Sequence, residues 1–203
     1  MQSVTDSRGS AIHPVFFSGQ SGEATGGQQE QGNSSLGPSL LDRAVLAPLA
    51  GYSDYPFRTA CRRHGCRYAF TPLVDAASAV YNPKTPEHLA YRGPNDAWLA
   101  CQLLGAKPDI LAKAVTKLAP YGFEVFDLNL GCPVPKVQKR GAGAALLADT
   151  GLACRCIEAM IEASPVPVTT KLRILSSTDP SPTVQLAKAL QDVGVAAITV
   201  HAR

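Results

Sequence analysis

From Arg43 onward, short apolar runs alternate with stretches of helical periodicity. The run "RAVLAPLAG" (43–51) is closed by proline and glycine and predicts a buried strand with its loop. "SDYPFRTACRRHG" (53–65) predicts a helix, with Ser53 as cap and Phe57, Ala60 and Cys61 at helical spacing. Five further strands follow: "RYAFTPLV" (67–74), "AWLACQLLG" (97–105), "EVFDLNLG" (124–131), "VPVTTKLRI" (166–174) and "VAAITVHAR" (195–203). Helices are predicted in "KPDILAKAVTKLAPYG", "GLACRCIEAMIEAS" and "TVQLAKALQDVG". In the first of these, Pro108 lies near the start, Ile110, Leu111, Ala114, Val115 and Leu118 form the apolar stripe, and Gly122 lies past the end. Strands separated by helices need crossover connections and therefore a parallel sheet. Six of them suit an open doubly wound sheet or a (β/α)8 barrel, which takes about 250 residues.

Residues 1–38 follow no such pattern. "SGQSGEATGGQQEQGNSSLGPS" offers almost nothing to bury, so a disordered N-terminal extension is expected, with the folded part at 39–203. Arg8 is its one Lys or Arg, whereas an organellar transit peptide is Arg-rich; a cytoplasmic location is the expectation. The whole chain has 203 residues, 45% of them apolar, and a net charge of +3. This mild basicity permits an RNA or phosphate partner without demanding one. No membrane span is expected, since no run of 18 apolar residues occurs. Cys61, Cys66, Cys101, Cys132, Cys154 and Cys156 have neither zinc-finger nor small-disulfide-scaffold spacing, so no metal is expected.

Polar residues recur at the carboxyl ends of the apolar strands, where a parallel barrel gathers its chemistry. Pro48, Leu49 and Ala50 end the first, Gln102 lies near the end of the third, and Asn129, Gly131 and Cys132 end the fourth. Lys171 and Arg173 stand on the fifth, His201 and Arg203 on the sixth. Each residue has an ordinary structural alternative: Gln102 a core amide, Asn129 a turn former, Lys171 an exposed face, His201 a hydrogen-bonded histidine, Cys132 a small buried filler. Five in register argue for a shared site, because an unpaired buried polar group costs about 1–3 kcal/mol. Cys101 alternates with Gln102 and should face the other way. Lys136, Lys139 and Arg140 read as a basic loop at the same mouth, either solvated or clamping a polyanion. Gly141 and Gly143 let the following backbone turn tightly or approach a ligand closely.

The segments "APLAGYSDYPFR", "QLLG", "DLNLGCPVPKVQKRGAGAALL", "TTKLR" and "ITVHAR" stand in an order and spacing that resembles the tRNA-dihydrouridine synthases, from about Arg43 to Arg203. The resemblance implies an FMN enzyme on a (β/α)8 barrel, incomplete here after the sixth strand, with a C-terminal helical domain that helps hold tRNA. It implies reduction of the C5–C6 double bond of selected uridines. NADPH would reduce FMN, flavin N5 would deliver hydride to C6, and the cysteine matching Cys132 would protonate C5. A thiol suits that role, since its reference pKa of about 8.5 keeps it protonated at neutral pH. The uridine must leave the stack to reach an enclosed flavin. By the same resemblance Pro48, Leu49, Ala50, Gln102, Lys171 and His201 are flavin contacts, and Asn129 holds flavin or uracil. Lys136, Lys139, Arg140 and Arg203 face tRNA. One departure is the stretch "FTPLVDA", where Leu73 and Val74 replace the Glu-Met pair of many members. The missing last strands lead to the expectation of a truncated sequence, an incomplete gene model or one fragment of a longer protein, monomeric when complete. Competing readings are another FMN barrel oxidoreductase acting on a free pyrimidine, and an inactive fragment that binds only RNA or a partner.

Overall fold

The computed structural model describes residues 44–82 and 84–202; the predicted extension 1–38 and Arg203 lie outside the described residues. Seven strands form one sheet: β1 (Val45–Leu46), β2 (Tyr68–Phe70), β3 (Val74–Asp75), β4 (Trp98–Leu104), β5 (Val125–Leu130), β6 (Val168–Arg173) and β7 (Ala197–His201). Every pairing is parallel, in the order β1-β2-β4-β5-β6-β7, with β3 also on β4. The strand expected over 67–74 is split. Its first half pairs the start of β4 (Tyr68↔Trp98), its second half the end (Val74↔Leu103). Between them Pro72 supplies no N–H to a ladder, while Thr71 N still donates to Ala100 O at 2.8 Å.

The crossover helices are α1 (Tyr55–Arg63), α4 (Pro108–Leu118), α6 (Thr150–Ala163) and α7 (Ser181–Asp192). Two short helices that the periodicity does not reveal, α2 (Ala76–Tyr81) and α3 (Lys84–Leu89), fill the path from β3 to β4. A third, α5 (Pro135–Gln138), and a 3-10 helix at Gly143–Ala148 replace the basic loop expected after Cys132. Proline at the first position of α5 suits a helix start, where a backbone N–H has no partner to lose.

Side chains alternate along each strand, and paired residues share a face. On the outer face Cys101, Leu103, Phe126, Leu128, Leu130, Leu172 and Ile198 join Leu111, Val115 and Leu118 of α4 and Ile157 and Met160 of α6 in one buried core. Each large apolar side chain buried there contributes about 1.5–3 kcal/mol. Thr170 shares this face and donates its Oγ1 to Leu128 O at 2.8 Å. The inner face carries Gln102, Asp127, Asn129, Thr169, Lys171, Arg173, Thr199 and His201. A helix-covered outer face and a polar inner face, on parallel strands joined by crossover helices, make this sheet part of a (β/α)8 barrel.

The cap of α1 differs from the sequence expectation. Asp54 is the N-cap, its Oδ1 accepting from Phe57 N at 3.0 Å. Ser53 is fully buried instead: its Oγ accepts from Leu49 N at 2.9 Å and donates to Leu49 O at 3.1 Å. The Ser53 carbonyl in turn accepts from Arg58 Nη1 at 2.8 Å. Arg58, 1% exposed, forks onto Asp96 (Nε–Oδ1 3.1 Å, Nη2–Oδ2 2.7 Å), and Arg62 adds a second fork onto Oδ1. Burial by itself would raise the Asp96 carboxyl. Hydrogen bonds from Arg58, the Gly93 N–H and Arg62 outweigh it and hold the group below the ordinary carboxylate range. The loop after β1 is therefore anchored to a buried ion pair.

Candidate active site

The site is built on the inner face of β4, β5 and β6. Asp127 is fully buried and accepts from Gln102 Nε2 at 2.7 Å and Thr169 Oγ1 at 2.6 Å. Gln102 Oε1 accepts from Asn129 Nδ2 at 2.8 Å. Asn129 Oδ1 accepts from Gly131 N at 3.0 Å and Cys132 N at 2.9 Å. A continuous line of hydrogen bonds therefore runs from the carboxylate of Asp127 to the turn that carries the Cys132 thiol. Arg173 holds the same turn from β6, its Nε donating to Gly131 O at 3.3 Å.

The other wall of the turn is Gly143. Its backbone has φ +64°, and a Cβ there would stand 2.7 Å from Cys132 O and 3.0 Å from Cys132 Cβ. Only glycine allows this approach. Ala144 N completes it by donating to Cys132 O at 3.0 Å. The close approach expected of Gly143 is thus made to the cysteine turn of the chain itself.

Burial pushes the Asp127 carboxyl up to about 6, against the pull of the Thr169 and Gln102 hydrogen bonds and the charge of Lys171. Lys171 pairs with Asn129 in register and is half-buried. Burial lowers its ammonium pKa; Asp127 opposes that and Arg173 adds to it. Cys101, on the outer face as expected, is pushed up to about 12 by burial and stays a thiol.

The other predicted residues are placed as follows. Pro48 is half-buried and Leu49 and Ala50 are exposed in the turn after β1, two strands away from β4. His201 is exposed at the end of β7, its carbonyl accepting from Ile174 N at 3.1 Å. Gln102, expected to contact a ligand directly, is fully buried and presents no surface to the mouth. Lys136 and Lys139 are exposed on and just after α5. Arg140 is drawn aside by Asp75, Nη2 to Oδ2 at 2.6 Å. A neighbouring cavity of about 400 Å³ is lined by Leu104, Gly105, Lys107, Arg140 and Ala142 but not by Cys132. Among the described residues no cluster of His, Cys, Asp or Glu could hold a metal ion, and no helix is long and apolar enough to cross a membrane.

Sequence reasoning overlooked Asp127 and Thr169. The signal was present: Asp127 and Asn129 are two apart in one strand and so share a face.

A crystal structure of 2,3-dimethylmalate lyase, a member of the PEP mutase/isocitrate lyase superfamily, is similar in fold, with a TM-score of 0.53 at 14% identity over 83% of this chain and 59% of that one. Sequence relatives are closer. tRNA-dihydrouridine synthase B of Pseudomonas aeruginosa is 34% identical over 83% of this chain and 51% of its own length. The protein of that name from Pasteurella multocida is 34% identical over 81% and 49%. The chain spans about half the length of these curated relatives. The sequence profile described as Dihydrouridine synthase (Dus) matches residues 45–203, so the chain belongs to the dihydrouridine synthase family.

Proposed function

We propose that the protein reduces the C5–C6 double bond of uridine in tRNA, with Cys132 as the catalytic residue that gives a proton to C5. The observation that carries this reading is the Cys132 turn, held by Asn129, Arg173 and Gly143 at the carboxyl end of a barrel strand in a member of this family. A thiol fixed by its backbone delivers a proton along one path, which general acid catalysis requires.

The donor set fits a flavin: the half-buried cation Lys171 and the amide of Asn129 face the same side of the sheet and suit the polar pyrimidine edge of an isoalloxazine. FMN, when bound there, would supply hydride chemistry for uracil C6, with NADPH as the source of its electrons. Asn129, Lys171 and His201, with Pro48, Leu49 and Ala50 from the β1 loop, are the residues that would hold it; Gln102 supports Asn129 from beneath. The Arg58–Asp96 pair keeps the β1 loop in place for that task. Lys136 and Lys139 face solvent beside the cysteine turn and are suited to tRNA phosphates; Arg140 and Arg203 are assigned the same partner. The target uridine must be extruded from its stack to meet the thiol.

The test is dihydrouridine formation in unmodified tRNA by the full-length protein supplied with FMN and NADPH. Dihydrouridine at defined tRNA positions is the expected result. Reduction of free uridine with tRNA untouched would overturn the reading in favour of a free-pyrimidine oxidoreductase.

A further inference from the structure

We propose that Asp127 is a positioning residue for Cys132, acting by dictating which way the Gln102 and Asn129 amides face. Its bearing on uridine reduction rests on the function proposed above; the hydrogen-bond logic does not.

The logic follows from donor and acceptor inventories. An ionised carboxylate only accepts, so the Gln102 end facing Asp127 must be Nε2, as found at 2.7 Å. That turns Oε1 toward Asn129, whose Nδ2 must then face it, as found at 2.8 Å. Asn129 is left with Oδ1 toward the turn, where Gly131 N and Cys132 N both donate to it. Reversing any one amide would set a donor against a donor at the next junction. The buried Asp127 fixes both, because its other contact, Thr169 Oγ1, is also a donor. The titration of Asp127 near pH 6 leaves it ionised at neutral pH, in keeping with this role.

Replacing Asp127 by asparagine alone leaves an escape: the new amide could point its oxygen at Gln102 and its nitrogen at Thr169 Oγ1, which can accept. The informative variant is therefore Asp127→Asn combined with Thr169→Val, with Thr169→Val alone as control. In the double variant an asparagine N–H faces Gln102, the amides reverse, and the turn loses its acceptor. Hydrogen–deuterium exchange over Leu130–Val134 in the full-length protein should rise about tenfold or more relative to the control, with α4 and α6 unchanged. Unchanged exchange at the turn would overturn the proposal. So would a loss of protection spread evenly over β5 and β6, which marks a purely structural role. If the double variant does not fold, Asn129→Leu removes the acceptor from the turn directly while leaving Asp127 with Gln102 and Thr169, and the same local rise is required. Exchange needs no flavin and no tRNA, so failure here and failure of the reduction assay are separate results.

Discussion

Asn129 Oδ1 accepts the backbone N–H of Cys132 at 2.9 Å, two residues past the end of β5. A strand-borne side chain thus sets the start of the turn that carries the thiol. The inner face of the sheet has no apolar stripe to fill on β5 and β6; it carries Asp127, Asn129, Thr169, Lys171 and Arg173. Such a polar, internally bonded surface is expensive to build and is expected where chemistry needs rigidity.

The contact of Gly143 with this turn makes the first prediction. In Gly143→Ala the new Cβ meets Cys132 O at 2.7 Å and Val137 Cγ1 at 2.9 Å, on a backbone with φ +64°. The variant should lose about 1–3 kcal/mol of unfolding free energy in urea and reduce uridine more slowly. Wild-type stability would show that the loop yields without cost.

The Arg58–Asp96 pair should be worth more. Arg58→Ala leaves a fully buried carboxylate with Arg62 as its remaining ionic partner and frees the Ser53 carbonyl. A loss of about 3–5 kcal/mol is expected from denaturant unfolding. Arg58→Lys should recover only part of it, since an ammonium cannot form the two-pronged contact.

Asp127 predicts a pH dependence whose sign is opposite to that of a salt-bridged carboxylate. Its folded pKa of about 6 lies above the ordinary 3.8, so the folded protein keeps a proton that the unfolded chain releases. The contribution of this group to stability is complete below the lower value and is lost as pH rises through the upper one, at about 1.4 kcal/mol per unit. Asp127→Asn lacks that slope. Measured against wild type, its unfolding free energy should gain about 2 kcal/mol between pH 4 and neutrality, from the same linkage. A flat difference would contradict the buried, raised carboxylate.

The basic residues after Cys132 divide by partner. Lys136→Ala and Lys139→Ala should each lower the slope of log affinity for tRNA against log salt by about 1. Arg140→Ala should lower it less, because Asp75 already neutralises that guanidinium at 2.6 Å. Equal slopes for all three would contradict this division.

Much of this arrangement was legible in the chain. β4 is a near-continuous apolar run, β5 and β6 alternate an apolar outer face with a polar inner one, and α4 and α6 show their stripes plainly. The break at Thr71–Pro72, the capping by Asp54 and the short α2 and α3 were not, since each is decided within a few residues by local hydrogen bonds. Cys132, Asn129 and Lys171 stood out because a strand end is where polar residues gather. Asp127 did not, because one acid inside an apolar run looks incidental until the register sets it opposite Gln102 and Thr169. The Asp75 partner of Arg140 lies far away in sequence and no local pattern announces it.

The central claim is that Cys132 delivers the proton to uracil C5. It is tested most directly by Cys132→Ala in the full-length protein, comparing flavin content, flavin reduction by NADPH and single-turnover reduction of uridine in tRNA. Flavin content and its reduction should match wild type, while uridine reduction falls about 100-fold or more, the typical contribution of a positioned acid. Undiminished uridine reduction in the alanine variant would remove Cys132 from the chemistry and contradict the account.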